Sequence, residues 1–123
     1  MQNERFGEPI SVLVVDDDPL VFSAIRRAVS KLPVRLRFAS NAEEAQRLIE
    51  AEVPTLIISD YQMPGMDGVS FLERVKSRHP AVNCVLHTAV TKIRKGSGAD
   101  IHVLHKPCPA EVLRDLISAA AAA

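Results

Sequence analysis

The chain has 123 residues, 47% of them hydrophobic, and a formal net charge of zero. A single domain of that size buries roughly two-thirds of the surface its unfolded chain exposes, so it can build a core without staples. The neutral balance argues against a nucleic-acid clamp or a polybasic membrane patch, and no apolar stretch approaches the ~20 residues that span a bilayer.

Residues 1–10 read as a disordered segment or a short extension. The first strand is expected at about Ser11 to Val15, an aliphatic run that ends in Asp16-Asp17-Asp18-Pro19. Asp18 is placed to cap a helix whose first position is Pro19, where a missing N–H costs nothing. Val21, Ile25, Ala28, Val29 and Leu32 fall at helical spacing, and Pro33 stops the helix. The second strand, Val34 to Ala39, alternates apolar residues with Arg35 and Arg37, the pattern of an edge strand with one exposed face. Ser40 or Asn41 caps the next helix, with Glu43 or Glu44 at capping-box distance and Ala45, Leu48 and Ile49 as its apolar stripe. The third strand, Thr55 to Ser59, is nearly all apolar, as a strand buried on both faces should be, and it ends in Asp60.

A turn-rich loop, Tyr61 to Gly68, leads to a helix from about Gly68 to His79, with Phe71, Leu72 and Val75 inward. Asp67 is expected to cap that helix. The fourth strand, about Asn83 to His87, runs into Thr88. From Ala89 to Asp100 only Val90 and Ile93 are apolar and Gly96-Ser97-Gly98 intervenes, so the fourth helix is expected to be short or disordered. The fifth strand, about Ile101 to His105, ends in Lys106. A last helix starts at Pro109, with Val112, Leu113, Leu116 and Ile117 inward, and residues 119–123 extend it or form a tail.

Strands spaced to leave one helix per crossover give a parallel sheet with right-handed connections. The expected fold is a three-layer α/β flavodoxin-like sandwich with strand order 2-1-3-4-5 and about five helices. In an open sheet of this kind the carboxyl ends of the strands lie side by side, at the edge where ligands bind. That edge would gather the carboxylates of Asp16, Asp17 and Asp60, the Thr88 hydroxyl and the Lys106 ammonium, a set suited to a divalent cation and a phosphoryl group. Histidine offers a poorer metal site, because His102 and His105 differ by three along a strand and face opposite ways. Cys84 and Cys108 lack the spacing of metal ligands or of a disulfide framework and are expected to be reduced. Residues 1–11 are polar and mixed, unlike a signal peptide, and a cytoplasmic location is expected.

Over about Ser11 to Ser118 the chain resembles a response-regulator receiver domain of bacterial two-component signalling. The resemblance rests on Asp16-Asp17 after the first strand, Asp60 followed by Met63-Pro64-Gly65-Met66-Asp67-Gly68, Thr88-Ala89, and Lys106-Pro107, in that order. It implies that Asp60 accepts a phosphoryl group from a sensor histidine kinase or a phosphotransfer protein, and that an output domain or target protein reads the result. It implies a Mg²⁺ ion held directly by Asp17, through a water by Asp16 and by the backbone carbonyl of Gln62, with Asp60 also among the metal-binding residues. Lys106 would pair with Asp60 at rest and with a phosphoryl oxygen afterwards, and Thr88 would donate its hydroxyl to another. Such a domain is a signalling phosphoacceptor rather than an enzyme in the ordinary sense, with no nucleic-acid or membrane contact of its own.

Departures from that family sit in the second half of the chain. Receivers commonly carry an aromatic residue three positions before the lysine, where this chain has Val103, and another after Lys106-Pro107, where it has Cys108. The segment between Thr88 and Lys106 is also shorter, by about one helical turn. The expectation is that phosphorylation chemistry survives, that the Thr–aromatic relay does not, and that ordering of the loop from Thr91 to Asp100 carries the signal instead. With Ala89 small and Val90 apolar, the phosphoryl state should be long-lived. Two other readings stand beside this one: a receiver fold used only for protein docking, and a phosphatase of the haloacid dehalogenase type. The latter lacks its second acid, since Asp60 is followed by Tyr61-Gln62.

Overall fold

The computed structural model describes residues 9–93 and 100–122. Five parallel strands, β1 (Ile10–Val15), β2 (Val34–Ala39), β3 (Leu56–Ser59), β4 (Asn83–Thr88) and β5 (Ile101–His105), lie in the order 2-1-3-4-5. Four helices accompany them among the described residues: α1 (Pro19–Ala28), α2 (Ala42–Ala51), α3 (Gly68–Arg78) and α4 (Ala110–Ala122). The expected order and the edge position of β2 are both present. No helix occupies the described part of the β4–β5 connection, where the fourth helix was expected to be short or disordered; residues 94–99, on which that expectation and the loop-ordering idea partly rest, and residues 1–8 lie outside the described residues.

Strand alternation divides the core in two. Leu13 and Val15 of β1, Ile57 of β3 and Leu86 of β4 point to one face, where Ala45 and Ile49 of α2 and Phe71, Leu72 and Val75 of α3 cover them. Val12, Val14, Leu56, Ile58 and Val85 point to the other, against Ile25 and Ala28 of α1 and Leu113 and Ile117 of α4. Val112, expected inward, is 39% exposed. One residue before the buried Leu113, it falls at the margin of the stripe that Leu113 and Ile117 define.

The helix starts follow their sequence signals. Asp18 accepts from the Leu20 N–H with Pro19 in the first helical turn. Asn41 accepts from Glu44 N–H while the Glu44 carboxylate takes the Ser40 N–H, a reciprocal capping pair. Asp67 accepts from Ser70 N–H. On the edge strand, Arg37 donates to the carbonyls of Leu48 and Glu52 at 2.8 and 2.7 Å, satisfying the orphan end of α2, and Arg35 pairs with the Glu52 carboxylate.

Candidate functional site

Register brings the acids together. Val15 lies opposite Ser59, so the residues that follow them, Asp16 and Asp60, leave adjacent strands at the same level. Their backbones are pinned there: Asp16 N–H donates to Ala39 at 3.0 Å and Asp60 N–H to Val15 at 2.8 Å. Asp16 is buried, Asp60 half-buried and Asp17 exposed at the rim. One carboxylate oxygen from each of the three lies within 4.8 Å of those of the other two. The loop beyond Asp60 is equally constrained. Gly65 adopts a left-handed φ of 82°. A Cβ at Gly68 would stand 2.1 Å from the Asp60 carbonyl oxygen, so α3 can approach the end of β3 only with glycine there.

Lys106 enters from the far strand. Its N–H donates to Thr88 at 2.8 Å, which holds the ends of β4 and β5 together, and the Lys106–Pro107 peptide is cis. Its Nζ donates to Asp16 Oδ2 at 2.9 Å and stands 3.6 Å from Asp60 Oδ1. The expected resting pair with Asp60 is therefore a longer ion contact, and the hydrogen bond goes to Asp16. Each carboxylate also takes one backbone N–H on Oδ1, Asp16 from Asp18 and Asp60 from Tyr61.

Electrostatically the cluster is short of positive charge. Burial, then the Asp16 carboxylate, raise the Asp60 pKa above its ordinary value, and Lys106 only partly offsets this. Burial works against the Lys106 ammonium, but the hydrogen bond and charge of Asp16, followed by Asp60, hold its pKa above the usual lysine value. Three carboxylates facing one ammonium make a donor set of hard oxygens that fits a divalent cation.

Thr88 is buried at the end of β4, and its Oγ accepts from Val90 N–H at 3.0 Å. Its hydroxyl proton remains free to be given elsewhere. Gln62 is exposed, two residues past Asp60. Two features escaped sequence reading. The close approach at Gly68 was visible only as a glycine after a capping acid. The imidazole of His87 is buried beside the charges of Lys106 and Asp16, with neither ring nitrogen paired.

Comparison with known proteins points the same way. Residues 12–118 match the family model described as the response regulator receiver domain. The chain is 30% identical over 123 aligned positions to the nitrate/nitrite response regulator protein NarL of Escherichia coli K12, which covers 93% of this chain and 56% of NarL; the chain thus spans about half the length of that relative. Its fold matches the solution structure of the apo receiver domain of nitrogen regulatory protein C, with a TM-score of 0.81 and 28% identity over 92% of this chain and 94% of that one. It also matches the signal receiver domain of an HD domain-containing protein from Pseudomonas fluorescens Pf-5, with a TM-score of 0.86 over 99% of this chain and 91% of that one; at 24% identity this likeness concerns the fold alone.

Proposed function

The chain belongs to the response regulator receiver domain family, and on that premise we propose that it is a Mg²⁺-dependent phosphoacceptor in which Asp60 receives the phosphoryl group of a phosphohistidine. Residues 11–118 form the receiver domain in this reading. The donor is a sensor histidine kinase or a phosphotransfer protein, and an output domain or target protein senses the product. The observation that carries the reading is the convergence of Asp16, Asp17 and Asp60 with the Lys106 ammonium at the carboxyl edge of the sheet.

A carboxylate oxygen of Asp60 attacks phosphorus in line, the phosphorus–nitrogen bond breaks, and the bonding pair leaves with the imidazole of the donor, which takes up a proton. Asp16, Asp17, Asp60 and the Gln62 carbonyl would hold Mg²⁺. When bound it neutralises the converging carboxylates and phosphoryl oxygens. Raising of the Asp60 pKa reflects a carboxylate poorly solvated at rest, and hence more nucleophilic. Lys106 turns from Asp16 to a phosphoryl oxygen, a task suited to a compact ammonium. Thr88 gives its hydroxyl proton to a second oxygen.

A phosphate-affinity gel after treatment with acetyl phosphate and Mg²⁺ tests this. A retarded band that Asp60→Asn removes is expected; no such band would leave the docking reading. That second reading draws on two observations, the exposure of β5 and the absence of a helix from the described part of the β4–β5 connection.

A further inference from the structure

His87 is the one side chain among the described residues that is buried, at 6% exposure, with every polar atom unpaired. Alternation along β4 puts it with Val85 on the face covered by α1 and α4, where Leu104 is its register partner. Asp16 and Lys106 stand just past the ends of β1 and β5, two residues beyond Val14 and Leu104 of this face. The charges of Lys106 and Asp16 both act on the imidazole. Burial, then the neighbouring ammonium, push its pKa down to about 4. At neutral pH the ring therefore offers one N–H and one bare acceptor nitrogen. A buried orphan polar group in a folded core calls for a reason.

The surroundings supply one. The ammonium has three donors, of which Asp16 takes one at rest. The next residue to His87 is Thr88, and the Lys106 N–H binds the Thr88 carbonyl at 2.8 Å, which ties the backbone beside His87 to that of Lys106. Val103, on the neighbouring strand, is 38% exposed and has no polar atom to report such a change.

We propose that His87 is a positioning residue for Lys106: its bare ring nitrogen receives the ammonium as Lys106 turns from Asp16 to the phosphoryl group, so that an imidazole unpartnered at rest gains a hydrogen bond in the phosphorylated state. This rests on the phosphoacceptor reading. It makes the resting state the less well satisfied of the two, and gives the switch a buried polar residue in place of a surface aromatic.

The test is nitrogen NMR of histidine-labelled protein in Mg²⁺, with and without beryllofluoride, the His87 signals being assigned through His87→Gln. One His87 ring nitrogen should move from the position of a bare acceptor to that of a hydrogen-bonded one, while His79, His102 and His105 stay in place. Melting curves give a second readout. His87→Leu should melt higher than the wild type without beryllofluoride and lose at least half of the rise in Tm that beryllofluoride gives, whereas His87→Gln, with an amide acceptor, should keep most of that rise. A merely structural role would shift both states alike. Unmoved His87 nitrogens in a protein whose Asp60 region responds to beryllofluoride would overturn this inference alone. No response anywhere in the wild type would overturn the phosphoacceptor reading and this inference with it.

Discussion

β3 and β5 come from similar aliphatic runs, yet they live in different surroundings. β3 has a strand on each side and helices on both faces, and it is buried at all four positions. β5 lies at the edge, and His102, Val103 and His105 are exposed. The site straddles the two. Asp60 leaves the enclosed strand, its backbone held by Val15 and its loop by Gly68 against its carbonyl. Lys106 leaves the open strand, joined to the rest through Thr88 and its ion contacts. In the proposed function, this puts the phosphoacceptor on the enclosed strand and the cation on the thinly covered one, so that a phosphoryl group bound at one would be reported through the other.

Substitutions can break or sharpen that contrast. Gly68→Ala forces a Cβ against backbone that cannot yield, and it should cost more than ~3 kcal/mol in denaturant unfolding. On the enclosed strand, Ile58→Ala should cost ~3 kcal/mol by the same assay. Lys106→Ala should leave the domain folded but slow phosphorylation by acetyl phosphate about 10²-fold, or ~2.7 kcal/mol, when followed by the decay of unmodified protein.

Acid should come next. The folded pKa of His87, about 4, lies below its unfolded value of 6.5, so the unfolded chain takes up the proton first. Stability should be fully present above pH 6.5 and decline as the pH falls toward 4, by on the order of 2 kcal/mol, and His87→Leu should flatten that part of the curve. Smallest of all, Val103→Ala on the open strand should change stability by less than ~0.5 kcal/mol. A cost at Val103 equal to that at Ile58 would erase the distinction between the two strands.

Much of this was legible in the chain because the relevant signals are local. Aliphatic runs ending in Asp16, Asp60, Thr88 and Lys106 mark strand ends, and Asp18, Asn41 and Asp67 cap the helices that follow. The alternation in β2 marks an edge because arginines there reach the end of α2. What could not be read depends on contacts between distant segments. That Lys106 hydrogen-bonds Asp16 and stands farther from Asp60 depends on how the ends of β1, β3 and β5 are set against one another. Val112 escapes the core because the α4 stripe is narrower than its apolar content suggests. The burial of His87 with neither ring nitrogen paired depends on packing across the sheet and leaves no local signal in the sequence.

The most direct measurement is peptide mapping of the protein by mass spectrometry after acetyl phosphate treatment and borohydride trapping of acyl phosphates. The account predicts one phosphoryl group per chain, on Asp60, formed with Mg²⁺ and lost with a chelator. A modification at any other residue, or one indifferent to the chelator, would contradict it.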